Sequence, residues 1–277
     1  LWTRLVTPAL GRRRARLVCT VHDATLHPGE GGRVKDWFYA PVPGVDAYIA
    51  LTRFVADRLV DVYGIARQRI TVIPHGVITF PGIPPMAPRQ EGGPLRLLFL
   101  GRIQPYKGLD LLVGAYERLL AEGHAATLTI AGFGELGDLR GRIEALPGIS
   151  LTNRWIPHGE MAGLLGAADA VVLPYVEASQ SGVLPAAFAA GLTAVVTPVG
   201  GLAEQVDHEV NGLVAGGTSQ KALLGQLRRL AGDGVLLSRL KEGASRTARE
   251  ELSWDRIAGS VVRAVGDLLA DDGLDQS

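Results

Sequence analysis

"LRLLFLGRIQPYKGLDLLVGAYERLLAEGHAATLTIAGFG", residues 95–134, contains one complete strand–helix–strand unit. LRLLFLGRI is a near-continuous apolar run, the pattern of a strand buried on both faces. KGLDLLVGAYERLLAEG then places Leu109, Leu112, Tyr116 and Leu119 on one helical face. ATLTIAGFG returns to a β pattern. Two such strands joined by a helix of this length run parallel, with the helix as a right-handed crossover.

Outward from this unit the same alternation continues. ELGDLRGRIEAL reads as a helix, ISLTNRW as a strand, HGEMAGLLGAAD as a helix, and AVVLPY as a strand. GVLPAAFAAG is the next helix and LTAVVTPVGG the next strand. The result is a doubly wound parallel sheet, whose ligands bind beyond the carboxyl ends of the strands. GRIQPYKG, AGFGE, NRWIPHG, YVEASQSG and TPVGGLAE all fall at those ends. Residues 15–76 show the same grammar in ARLVCTVHD, VDAYIALT, FVADRLVDVYG and ITVIPHG. Between the two regions, FPGIPPMAPRQEGGP (80–94) has five prolines, three glycines and no periodicity, as an interdomain linker would. After residue 218 the pattern is helical, and DDGLDQS reads as a frayed tail.

The expected fold is therefore α/β, with two Rossmann-like parallel-sheet domains. Residues 1–80 form the C-terminal portion of the first, which is expected to be incomplete, 81–94 the linker, 95–252 the second, and 253–277 a C-terminal crossover helix and tail.

Composition narrows the partners. Lys+Arg and Asp+Glu both number 28, so no global field points to nucleic acid or an anionic membrane. GRRRAR (11–16) is the one local basic run, either a solvated face or a peripheral membrane contact. The single cysteine, Cys19, excludes an internal disulfide and fits a reducing, cytoplasmic setting, with the inner membrane face as the alternative. No apolar run approaches the roughly 20 residues of a spanning helix.

The stretch SQSGVLPAAFAAG (179–191) opens with hydroxyls and a glycine where a strand hands over to a helix. Either the helix start is simply capped, or its first turn seats an anion. Ser181 suits a cap, Gly182 allows close approach to the backbone, and Pro185 is tolerable only within the first turn. Arg102 and Lys107, in GRIQPYKG, favour the anion. A cation at a helix N-terminus opposes the macrodipole unless something negative joins it. A guanidinium fork and an ammonium at one sheet edge suit a diphosphate. No G-x-G-x-x-G with a following acidic residue marks the first strand, which disfavours a Rossmann dehydrogenase.

From about residue 70 to 260 the chain resembles the donor-binding half of the family-4 glycosyltransferases. The resemblance rests on LGRIQPYKGLDLLVGAY, LTIAGFGE, WIPHGEMAGLLGAADAVVLPY, and SQSGVLPAAFAAGLTAVVTPVGGLAEQVDHEVNGLVA, in the family's order. It implies the two-Rossmann GT-B fold. It also implies retaining transfer of a sugar from a nucleotide-diphosphate sugar to an alcohol (a sugar, lipid-linked sugar or small molecule), with no metal or other cofactor. Arg102 and Lys107 then hold the diphosphate. Gly132 and Gly134 of AGFGE and Ser179, Gln180, Ser181 and Gly182 join them on the donor side. Arg154, Trp155 and Ile156 lie beside the base, and Glu177 and His22 are the catalytic candidates.

The family usually has two glutamates separated by seven residues. Glu177 is the counterpart of the first; aligned on the Ala-Gly that ends the helix, the second falls at Ala186, so the carboxylate that grips the ribose is absent. Glu204 matches a family glutamate and also suits a helix start. His22 comes from CTVHD, which resembles a segment near the donor sugar. His75, in VIPHGV, replaces an asparagine of a turn. Only about 80 residues precede the linker, so the front of the acceptor domain is expected to lie outside this sequence. Binding of nucleotide sugar without turnover is the alternative activity.

Overall fold

The computed structural model describes residues 16–24, 44–82 and 93–274, with side chains described through residue 270. Most of the expected linker, all of GRRRAR except Arg16, and the last three residues lie outside these. The chain divides into two compact units, one drawn from residues 1–76 and 252–277, the other Val77–Glu251.

In the first unit, β1 (Val18–Val21), β2 (Ala47–Ala50) and β3 (Ile70–Val72) form a parallel sheet in that order. Helix α1 (Arg53–Tyr63) starts where Thr52 Oγ1 accepts from the Val55 N–H, and ends at Gly64 with φ 65°. Its buried face, Val55, Ala56 and Leu59, packs with Tyr48 and Ala50. The last helix, α8 (Trp254–Leu274), belongs to this unit and sets Ile257 against Ile49 and Ile73. Arg16 pairs with Asp46 at 2.7 Å, an ordinary solvated ion pair. Cys19 is a free, half-buried thiol whose pKa burial raises.

The second unit is built on six strands: β4 (Leu95–Leu100), β5 (Ala126–Ala131), β6 (Ile149–Thr152), β7 (Ala170–Leu173), β8 (Thr193–Val196) and β9 (Gly212–Val214). Their order is β6-β5-β4-β7-β8-β9, all parallel. The chain winds one way from β4 and the other way from β7, so the switch point lies between those two strands. Helices α2 (Leu109–Ala121), α3 (Leu139–Ala145), α4 (His158–Gly166) and α5 (Val183–Ala189) follow β4, β5, β6 and β7. Then α6 (Gln220–Gly232) and α7 (Gly234–Glu250) complete the unit.

The four residues read as one face of α2 are all buried, with Tyr116 donating its hydroxyl to the Ala126 and Pro147 carbonyls. Ser219 and Asp233 cap α6 and α7 by accepting from Ala222 N–H and Leu236 N–H. β9 has no counterpart in the sequence reading, because three residues are too few to show a period.

At the amino ends of β4 and β7, Asp169 is fully buried. It accepts from Arg96 at 2.7 and 3.0 Å and from Lys241 at 3.3 Å. Burial pushes its pKa up, but Arg96 and Lys241 outweigh that and hold the carboxyl below its usual range.

Candidate functional site: the carboxyl edge at the strand switch

The two loops flanking the switch point are those singled out for their charges and hydroxyls. After β4 the chain passes Gly101 and Arg102, forms a short 3-10 turn at Pro105–Lys107, and enters α2 through Gly108. Gly108 has φ 63°, and a Cβ there would lie 1.9 Å from the Pro174 carbonyl oxygen. Only glycine allows the loop to press so closely on the end of β7. A second tie runs the other way, from Val176 N–H to the Tyr106 carbonyl at 2.8 Å.

Between these two ties stands Tyr175, fully buried, its ring centroid 3.7 Å from Lys107 Nζ. Lys107 is half-buried and Arg102 exposed, with the Arg102 guanidinium 6.0 Å from the Phe133 ring centroid. Phe133 and Trp155 are both exposed and pair at 6.1 Å, making an aromatic ledge beside Arg102.

Gly132 and Gly134 have φ 152° and 154°, and a Cβ at either would strike the carbonyl of Gly101 or Ile103 within 2.0 Å. Close packing of the β4 and β5 ends thus requires these glycines whatever else they do. Asn153 adds a hydrogen bond from Gly134 N–H at 3.2 Å. Arg154 engages Glu160 at 2.6 and 3.1 Å, and this hydrogen bonding raises its pKa. Ile156 is buried, so any part it plays in recognising a base comes through its backbone.

In the SQSG loop Ser179 and Ser181 are buried. The Gln205 carboxamide clasps Ser181 on both sides, accepting from its N–H at 2.7 Å and donating to its carbonyl at 3.2 Å. Ser181 Oγ accepts from Val183 N–H at 3.3 Å and lies 3.5 Å from the Tyr175 hydroxyl. The Ser181 and Val183 amides are therefore engaged within the protein, and Pro185 has none to offer. With α5 only seven residues long and these amides engaged, the side-chain positive charge on the two loops flanking the switch point is that of Arg102 and Lys107. Among the described residues, the buried Gln180 Oε1 has no hydrogen-bond partner. Gly182 has ordinary helical φ of −70°, and a Cβ there would meet only Ile78, at 3.6 Å. Glu177 is partly buried in the same loop, and Glu204 is exposed in the 3-10 turn Gly200–Gln205. Ala186 is buried on α5.

His22 lies in the first unit, exposed just past β1, with its ring 6.2 Å from that of His75. His75 Nδ1 is 2.6 Å from the Gly76 carbonyl, and its ring is 6.3 Å from that of Trp254. No sequence signal announced this three-ring row, or the Tyr175 and Gln205 contacts, because their partners lie far apart along the chain.

The family model for group 1 glycosyl transferases matches residues 94–233, just over half of the chain, and that for glycosyltransferase family 4 matches residues 2–79. The chain belongs to this glycosyltransferase family. It is 28% identical over 250 residues to a glycogen synthase of Mycobacterium tuberculosis, covering 85% of this chain and 60% of that one. It is 34% identical over 265 residues to a D-inositol 3-phosphate glycosyltransferase of Xylanimonas cellulosilytica, covering 87% and 62%. The chain thus spans about three fifths of these relatives' length. Among solved structures, Anabaena HepE in complex with UDP superposes with a TM-score of 0.77 at 17% identity, over 96% of this chain and 76% of that one. The two-domain GT-B architecture of the glycosyltransferase family is the fold of this chain. Among the described residues, no helix is long and apolar enough to cross a membrane.

Proposed function

We propose that the second unit binds a nucleotide-diphosphate sugar at the β4/β7 switch and that the family's chemistry, retaining transfer of the sugar to an alcohol without a metal, is the activity served. The observation that carries this reading is the placement of Lys107 and Arg102 on the loop that leaves β4, one of the two strands at the switch point. The UDP complex of Anabaena HepE supports a nucleotide as the ligand class.

In this reading the ammonium and guanidinium neutralise charge developing on the leaving diphosphate, an electrostatic role that needs no added cation. The Phe133–Trp155 ledge offers the base a surface to stack on. Glu177 contacts the sugar, while the ribose contact, with Ala186 in place of a carboxylate, falls to other groups. Titration calorimetry of the 277-residue chain with UDP, GDP and ADP tests it. Saturable binding by at least one, weakened by about tenfold or more in Lys107→Ala, is expected; no binding by any overturns the donor site.

Ala186 favours a second reading, binding of the donor without turnover. Release of free sugar, or of a glycoside with retained configuration, decides against that second reading.

A further inference from the structure

Lys107 is held in an unusual way for a residue meant to meet an anion. Its Nζ stands 3.7 Å from the centroid of the Tyr175 ring and 5.0 Å from that of Tyr106. Tyr175 cannot drift, because backbone contacts lock the chain on either side of it. Pro174 is pressed on Gly108, and Val176 N–H bonds to the Tyr106 carbonyl. Thr197 Oγ1 donates to the Tyr175 carbonyl, and the phenol oxygen lies against Ser181 Oγ. Gln205 in turn clasps Ser181. A chain of contacts therefore joins the loops after β4, β7 and β8 through one ring. Burial raises the phenol pKa to about 12, so the ring stays neutral at any working pH.

A carboxylate in the same place would fix the ammonium but cancel its charge. An aromatic face attracts a cation through its quadrupole and leaves the net charge intact. We propose that Tyr175 is the positioning residue for Lys107: its buried ring face seats the lysine ammonium and presents the charge to a diphosphate. The proposal rests on the donor-site reading above and adds the residue on which the geometry of that site depends.

The test uses the full 277-residue chain and three measurements. First, with UDP, GDP and ADP as probes, Tyr175→Phe keeps the ring and is expected to bind like the parent. Tyr175→Leu, which removes the ring, is expected to bind about tenfold more weakly. Second, if Tyr175 acts through Lys107, adding Tyr175→Leu to Lys107→Ala costs no further affinity, whereas a buried ring that merely supports the fold gives additive losses. Third, the sequence contains four lysines, so carbon-detected NMR resolves their ε-methylenes even if Tyr175→Leu does not fold. One is expected upfield in the parent chain from the ring current, to persist in Tyr175→Phe, and to vanish in Lys107→Ala.

Additive losses, a tenfold effect in Tyr175→Phe, or no upfield lysine signal each overturns the proposal while nucleotide binding stands. Absence of binding in the parent removes the donor reading and this inference with it.

Discussion

Lys107 precedes the first residues of α2, where the helix dipole repels a cation, so its position carries a small standing cost that an anion removes. Replacing Lys107 or Arg102 with alanine is expected to weaken nucleoside diphosphate binding by about 1.5–3 kcal/mol, the range for charge-assisted hydrogen bonds, as read by calorimetry. The two glycines at this edge should behave differently. Gly108→Ala must accept both φ 63° and an overlap with the Pro174 carbonyl, so a loss of about 2 kcal/mol or more in denaturant unfolding is expected. Gly182→Ala meets only ordinary contact with Ile78 and should leave stability within about 0.5 kcal/mol of the parent. A weakened nucleotide affinity in that variant would then report ligand approach to the loop, not damage to the fold.

Strands β4 and β7 depend on a charge cluster at the end of the sheet opposite the candidate site. Asp169 is fully buried, and Arg96 and Lys241 supply its positive partners. Asp169→Ala removes the buried carboxylate with which both Arg96 and Lys241 pair and is expected to cost about 3–5 kcal/mol. The acid response has a definite sign. The folded pKa of Asp169 lies below the unfolded value, so its contribution is complete above the unfolded pKa of about 3.9. It is lost as pH falls through the depressed folded value. Chemical unfolding followed from pH 6 downward should therefore show a steeper acid loss in the parent chain than in Asp169→Asn. Equal slopes would mean that the cluster contributes nothing through its charge.

The chain as a whole contains two compact units, and among the described residues one has three strands and the other six. Scanning calorimetry is expected to show two transitions, the lower belonging to the smaller sheet. A ligand stabilises the state that binds it by about 2.7 kcal/mol at a hundred times its dissociation constant. Nucleoside diphosphate should accordingly raise the upper transition and leave the lower nearly in place. A single cooperative transition that moves as one would contradict this.

The alternation of apolar runs with helices of α2's kind was readable from residues alone, because strand and helix periods are local properties of the chain. So were the loops that carry Arg102, Lys107 and the SQSG hydroxyls, since strand direction dictates which loops reach the carboxyl edge. Short pieces escaped: β9 has only three residues, and the Gly200–Gln205 turn lacks any period. Tertiary structure alone settled which loops became neighbours. It placed β4 beside β7, set Lys107 on the Tyr175 ring, closed Gln205 around Ser181, and gave Gly132, Gly134 and Gly108 a packing reason to be glycine. These contacts join residues from different loops, and only strand order and register bring their atoms within reach.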